Sequence, residues 1–186
     1  MDVITTHTNA DFDSMASMLA AKKLYPNAVL VFPGSQERSL RDFFIHSTLY
    51  ALEVERVKNI DLQDVTRLIL VDTRQVSRIG KFSEMLEKPG LDIHIYDHHP
   101  PSPEDIQGSV EVVAEVGATV TLLIHLLQER EIDITPDEAT ALMLGLYEDT
   151  EISPFLLQKR KTSGRRDTSS GKEQISISSP ISLRRN

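Results

Sequence analysis

Asp97, His98 and His99 stand side by side in the stretch Tyr96-Asp97-His98-His99-Pro100. Three groups that bind cations or carry protons thus arrive together. Similar residues recur elsewhere. His7, Asp11 and Asp13 share the stretch His7-Thr8-Asn9-Ala10-Asp11-Phe12-Asp13-Ser14, Asp72 follows Leu68-Ile69-Leu70-Val71, and Asp149 lies in Tyr147-Glu148-Asp149-Thr150. Carboxylate oxygens suit hard divalent cations, and imidazoles beside them suit Mn²⁺ or Zn²⁺ better than Ca²⁺. The single residue between Asp11 and Asp13 lets two carboxylates face different metals. Each piece also has a plainer reading. Asp13-Ser14 serves equally as a helix cap, and paired histidines occur in ordinary loops. Whether the chain brings them together decides between the two.

The elements that must do so are legible as alternating strands and helices. Asp2–Thr6 is short and β-branched, and Met15, Met18, Leu19 and Leu24 then make one apolar helical face. Ala28–Phe32 is a continuous apolar run that suits a strand buried on both faces. Ser35–Leu52 reads as a helix with Leu40, Phe43, Phe44, Leu49 and Leu52 inward. Arg67–Thr73 is a further buried strand, and an Asp at its end is costly to bury without a cation or donors to meet. Ser77–Leu86 reads as a short helix. Asp92–Tyr96 alternates in polarity as a strand, and Pro100 and Pro101 forbid its continuation. Ser109–Val116 reads as a strand, and Gly117 opens an apolar helix through Leu122, Leu123, Leu126 and Leu127. Thr135-Pro136-Asp137-Glu138 announces a last helix: Thr as N-cap, Pro at the first helical position, Glu closing a capping box. That helix ends near Asp149, where a negative charge is unfavourable unless a cation is close. His46, His94 and His125 read as surface or packing residues.

This alternation predicts an α/β fold, a mostly parallel sheet with helices on both faces. Right-handed crossovers would put the loops after the strands on one sheet edge. His7, Asp11, Asp13, Asp72, Asp97, His98 and His99 would meet there, with Asp149 joining from the last helix. Open α/β sheets place their ligands at that edge.

With 186 residues, 40% of them apolar, the chain has enough for one domain with a real core. It contains no Cys, which excludes disulfides and thiolate metal sites. No apolar run reaches the ~20 residues of a membrane span, and the N-terminus lacks the pattern of a signal peptide. The expectation is a cytoplasmic protein with no membrane partner. Residues 1–150 hold 12 Lys+Arg against 25 Asp+Glu, a net of −13; residues 151–186 hold 8 against 3, a net of +5. So acidic a body does not attract phosphates at long range; if it handles them, something local and cationic, a metal first, must receive them.

The set His-x-x-x-Asp-x-Asp after the first strand, a lone Asp after a later one, Asp-His-His and a final Asp-Thr resembles the DHH phosphoesterase family. That superfamily includes RecJ-like exonucleases, oligoribonucleases, cyclic dinucleotide phosphodiesterases and family II pyrophosphatases. The resemblance covers residues 1–150. The wording around the motifs is most similar to the DHH domain that opens certain bacterial tRNA nucleotidyltransferase/poly(A) polymerases, ahead of CBS domains. It implies two Mn²⁺ ions, with Mg²⁺ an alternative. His7 and Asp11 would hold one; Asp13, His98 and Asp149 would hold the other. Asp72 would bridge them, Asp97 would sit behind the ligands or bind weakly, and His99 would face the phosphate. It implies hydrolysis of phosphodiester bonds in oligonucleotides or nucleotides by a two-metal route. A pyrophosphatase-like activity, a non-catalytic nucleotide- or RNA-binding module, and a structural metal domain are the other readings.

From Glu151 the pattern changes. Residues 151–186 are rich in Ser, Lys and Arg, include Lys159-Arg160-Lys161 and Arg165-Arg166, and show no helical or strand period. The family pattern instead continues Asp-Thr with Gly, an aromatic and an amphipathic helix. Restoring one base after the Thr150 codon lets permitted codons resume that pattern, so a frameshifted, disordered tail is expected. A natural basic tail that binds nucleic acid is the alternative. The second, substrate-binding domain usual in the family is not found in this sequence, and an exposed apolar face and weakened activity are expected from that.

Overall fold

The computed structural model of the chain describes residues 1–46, 53–149 and 184–185. Its centre is a sheet built from β1 (Asp2–Thr5), β2 (Val29–Phe32), β3 (Val54–Arg56), β4 (Arg67–Val71), β5 (Asp92–Asp97), β6 (Val110–Val113) and β7 (Arg184–Arg185). The strand order is β3-β2-β1-β4-β5-β6-β7. Pairings among the first six strands are all parallel, while β7 joins β6 antiparallel through Val110↔Arg185 and Glu111↔Arg184. The rest of 151–186 lies outside the described residues.

Successive strand residues feed two separate cores, as the period of two requires. Ile4, Leu30, Ile69, Val71 and Tyr96 face one side, where they pack with buried residues of α1 (Phe12–Leu24), α2 (Arg38–His46), α3 (Thr119–Glu129) and α4 (Pro136–Asp149). Val3, Val31, Leu68, Leu70, Ile93 and Ile95 face the other, against Ile79, Phe82 and Met85. Short 3₁₀ stretches at Val57–Asn59, Val76–Arg78 and Gly80–Met85 supply the helical cover on that second side. The α/β fold with both faces covered is as expected, with α-helices on one face and 3₁₀ turns on the other. The regular helix expected over Ser77–Leu86 is therefore replaced by 3₁₀ turns. The helix expected over Ser35–Leu52 is described only as Arg38–His46, and residues 47–52 lie outside the described residues.

The strand order has a direct consequence for the site. From β1 the chain moves outward through β2 to β3, then returns to β4 beside β1 and moves the opposite way. Connections leaving β1 and β4 thus diverge, and the crevice between their carboxyl ends is where such sheets bind ligands. His7–Asp13 follows β1, Asp72 follows β4, and Asp97-His98-His99 closes β5. Three straps fix the loop after β1. Thr8 N donates to the Arg78 carbonyl at 2.7 Å, Ala10 N to the Ser35 carbonyl at 3.1 Å, and Glu37 N to the Ala10 carbonyl at 2.8 Å.

At the opposite end of the sheet, Tyr25 Oη lies 2.6 Å from both His94 Nδ1 and Tyr96 Oη, and His94 Nε2 lies 3.2 Å from Asp92 Oδ2. A neutral His94 accepting from Tyr25 and donating to Asp92 satisfies this chain, and burial indeed holds its pKa below the ordinary value. His94 is thereby a packing residue, as expected. At α4, Thr135 N donates to Glu138 Oε2 at 2.8 Å and Glu138 N to Thr135 Oγ1 at 3.3 Å, the expected capping box.

Helix α4 lies close against α1 because Gly145 carries no side chain. A Cβ there would stand 2.5 Å from Ala16 Cβ, 2.8 Å from the Phe12 carbonyl and 3.1 Å from Asp13 Cα. Gly145→Ala gains about 1 kcal/mol of helix propensity, yet forces apart two helices of a packed core at about 1–3 kcal/mol or more. The net expectation is destabilisation, read as a lower urea midpoint at unchanged slope; an equal or higher midpoint would show that the helices are not in that contact.

Candidate metal centre

The β4 strand ends at Asp72, whose amide N donates to the Tyr96 carbonyl at 2.9 Å before the backbone turns to a left-handed φ of 60°. A non-glycine residue in that region is uncommon and clusters at functional sites. The carboxylate is 2% exposed. Its Oδ2 accepts from Ser14 Oγ at 2.9 Å and lies 3.3 Å from His7 Nε2. Its Oδ1 accepts from Thr119 Oγ1 at 2.9 Å and lies 3.6 Å from His98 Nε2 and 3.9 Å from His99 Nδ1. The two oxygens of one carboxylate thus face two different imidazole groups.

Two sets of donors follow. His7, Asp11 and Asp72 form one, Asp72, His98 and His99 the other, with the ligand atoms of each set within 4.8 Å of one another. Asp72 belongs to both. In the first set Asp11 divides its carboxylate: Oδ1 accepts from Ser14 N at 2.9 Å and caps α1, while Oδ2 lies 3.6 Å from His7 Nε2. The tautomers suit ligation. His7 Nδ1 donates to the Thr8 carbonyl and His98 Nδ1 to the Val116 carbonyl, each at 2.9 Å, because a carbonyl only accepts. His7 Nε2 meets Ser14 Oγ at 2.6 Å and faces the Asp11 and Asp72 carboxylates, and His98 Nε2 faces Asp72, so each stands where a metal would be ligated. Mixed imidazole and carboxylate donors around a shared Asp fit divalent cations, one at each set.

His99 is held differently. Its Nδ1 donates to Asp97 Oδ1 at 2.7 Å, and that oxygen also accepts the backbone N of His98 at 3.0 Å and of His99 at 3.4 Å. Asp97 is fully buried, while the His99 side chain is 40% exposed. Asp97 orients, and His99 faces outward.

Asp13 has a further task that the sequence did not show. It stands in neither donor set. Its Oδ2 accepts Thr119 N at 2.7 Å and its Oδ1 accepts Val120 N at 2.9 Å and Ser17 Oγ at 3.4 Å, so it caps α3, whose own N-cap Ala118 offers no side-chain oxygen. Nor does Asp13 cap its own helix; Asp11 does. Two backbone N–H groups face the Asp13 carboxylate, so whatever else it binds, it also secures the N-terminus of α3. Helix α4 ends at Asp149 as expected, but the Asp149 side chain lies outside the described residues. Ser14 and Thr119 are site residues that sequence reasoning passed over; their hydroxyls donate to the shared carboxylate.

A parallel α/β sheet with a carboxylate shared between two histidine sets at its switch point defines a class of metal-site protein. The chain matches the DHH family, N-terminal domain, over residues 3–146, and it belongs to that family. It is 53% identical over 150 residues to an A-adding tRNA nucleotidyltransferase of Geobacter sulfurreducens, covering 81% of this chain and 17% of the relative. It is 34% identical over 149 residues to an A-adding tRNA nucleotidyltransferase of Aquifex aeolicus, covering 80% of this chain and 16% of the relative. The chain therefore spans about a sixth of the length of these curated relatives. In fold it is similar to an exopolyphosphatase-related protein from Bacteroides fragilis, at a TM-score of 0.62 and 18% identity over 88% of this chain and 53% of that one. No helix among the described residues is long and apolar enough to cross a membrane.

Electrostatics give the site a measurable signature. Burial alone would push the His7 imidazolium down, but Asp11 and Asp72 outweigh it and hold the pKa up at about 9. Burial would likewise raise Asp11, but His7 and the Ser14 amide bring it down to about 2. Since the folded pKa of His7 lies above its unfolded value near 6.5, its contribution is complete below pH 6.5 and is lost as pH rises through about 9. With chelator present, urea unfolding should show stability falling by up to about 3 kcal/mol between pH 6.5 and 9. Asp11→Asn should flatten that slope; an unchanged slope in the variant would remove His7–Asp11 as its source.

Proposed function

We propose that this chain is a metal-dependent phosphoesterase domain that hydrolyses phosphodiester bonds of short oligonucleotides or nucleotides. The observation that carries this reading is the placement of Asp72, with Oδ2 turned to His7 and Oδ1 to His98 and His99. In it, His7 and Asp11 would hold one Mn²⁺ or Mg²⁺, Asp13, His98 and Asp149 would hold the other, and Asp72 would serve both. When bound, such a pair neutralises phosphoryl oxygens and acidifies water enough to supply hydroxide at neutral pH.

The chain's own residues divide the remaining work. Ser14 and Thr119 fix the plane of the shared carboxylate, each with one hydroxyl proton. Asp97 fixes the Nδ1 proton of His99, so any second proton resides on Nε2 of a half-exposed ring. From there it can stabilise charge on the phosphate or pass to the leaving oxygen. A nucleotide substrate fits a cytoplasmic setting.

A second reading is favoured by the 53% identity to a tRNA nucleotidyltransferase: a module that binds nucleotide or RNA without turning it over. One experiment separates the two. Purified chain with Mn²⁺ is incubated with short oligonucleotides, mononucleotide esters and pyrophosphate, and products are resolved by chromatography. Cleavage of oligonucleotides is expected, with Asp72→Ala reducing it at least about a hundred-fold. Equal rates for the two chains would sink the hydrolase reading, and binding without cleavage would establish the module. Metal analysis of the same sample should give two ions per chain, and fewer in Asp72→Ala.

A further inference from the structure

Arg74 follows Asp72 by two residues and is only 8% exposed. A guanidinium removed from water needs acceptors on several sides. One nitrogen, Nη2, donates to the carbonyl of His99 at 2.7 Å. Another, Nε, lies 2.7 Å from Asp105 Oδ2 and 3.5 Å from Asp97 Oδ2. Arg74 Nε and Asp97 Oδ2 are both buried without a hydrogen-bond partner among the described residues, so charge alone joins them across 3.5 Å. The other Asp97 oxygen carries the His99 ring. His99 is therefore gripped twice, at its ring through Asp97 and at its carbonyl directly.

The grip is itself anchored. Asp105 Oδ2 also accepts Ser102 N at 2.7 Å, and the Arg74 carbonyl accepts Ile106 N at 2.7 Å. Gln75 and Asp105 form an isolated antiparallel bridge. The segment after β4 and the segment after Asp97-His98-His99 are thus tied to one another around a single arginine. Thr73, Arg74, Arg78, Asp97, His99 and Asp105 line one small pocket beside the candidate metal centre.

We propose that Arg74 is a positioning residue for His99, holding the Asp97 carboxylate and the His99 carbonyl in one rigid turn so that the imidazole meets the substrate phosphate. This rests on the hydrolase reading above. The competing account is a buried ion pair that contributes only to folding. The two differ in how Arg74 and His99 combine. A positioning residue that acts through His99 costs nothing further once His99 is gone, whereas an independent structural loss adds. Lysine at 74 keeps a charge near Asp97 and Asp105 but lacks the fork that also reaches the carbonyl, so it should rescue only in part.

The test uses the full chain as wild type, Arg74→Gln, Arg74→Lys, His99→Ala and Arg74→Gln/His99→Ala. Two quantities are read: kcat and KM for Mn²⁺-dependent cleavage of a short oligonucleotide, and the NMR signal of the His99 Nδ1 proton in chelated protein. Arg74→Gln should lower kcat about ten-fold with KM within about two-fold, Arg74→Lys should fall between, and the double variant should match His99→Ala within about two-fold. The Nδ1 proton, slow to exchange in wild type, should be lost in Arg74→Gln. Additive losses in the double variant, or an intact Nδ1 signal in Arg74→Gln, would overturn the proposal. If wild type cleaves nothing, the hydrolase reading fails on its own, and persistence or loss of the Nδ1 signal still decides the grip. Should Arg74→Gln fail to fold, Arg74→Lys carries both readouts.

Discussion

The carboxylate of Asp72 is the demand that the rest of this structure meets. A buried anion left alone costs several kcal/mol, a large share of the 5–15 kcal/mol that holds a domain together. Ser14 and Thr119 each supply one hydroxyl proton, and neither is charged. They arrive from the first turns of α1 and α3, so two helix N-termini with their positive dipole ends converge on the same anion. The remaining lone pairs face imidazoles whose Nδ1 protons are committed elsewhere. Each of those imidazoles stands with Asp72 in a set of donors that could hold a cation.

Asp13 makes that convergence mechanical. It sits in the first turn of α1 and accepts the two leading backbone N–H groups of α3, so the helices that carry Ser14 and Thr119 are locked to each other by a third residue. Gly145 adds a second constraint by letting α4 lie against the same turn of α1. The core therefore holds the His7 side of the site through contacts of α1 with both α3 and α4. A shift of α1 along the sheet would move Asp11, Asp13 and Ser14 together, and with them the His7 side of the carboxylate. The His98–His99 side hangs instead on β5 and on the turn held by Arg74. One half of the centre is positioned by helices, the other by a loop.

This division explains what was legible in the sequence. Apolar runs such as Val29–Phe32 and Arg67–Val71 announce buried parallel strands whatever surrounds them, and so the sheet and the edge where its loops gather could be read directly. The His and Asp residues at those strand ends stood out because little else polar occurs there. Partners distant in the chain could not be read. Asp13 meets α3 across 106 residues, and nothing near Asp13 signals that the helix beginning at Thr119 lacks a cap of its own. Ser14 and Thr119 look like ordinary small polar residues until Asp72 lies between them. β3 is a three-residue edge strand with Glu55 and Arg56 exposed, too short and too polar to register as a run. Val76–Met85 has helical spacing, but Gly80 at a φ of 55°, against the Pro33 carbonyl, imposes tighter turns than the pattern suggests.

The balance of charge orders the events on the proposed reading. Residues 1–150 carry 25 acids against 12 bases, so the body draws divalent cations and repels polyphosphate. Arg74, the arginine buried nearest the site, offers a phosphate nothing, since Asp97 and Asp105 already neutralise it. The imidazolium of His7 is likewise committed, to Asp11 and Asp72. On that reading, attraction for a phosphodiester would have to come from cations held by the site. A cation held beside His7 would take the place of the Nε2 proton that Asp11 and Asp72 otherwise hold there. Metal loading and loss of that proton are then one event, and the same acids that stabilise the imidazolium are those that would bind the ion.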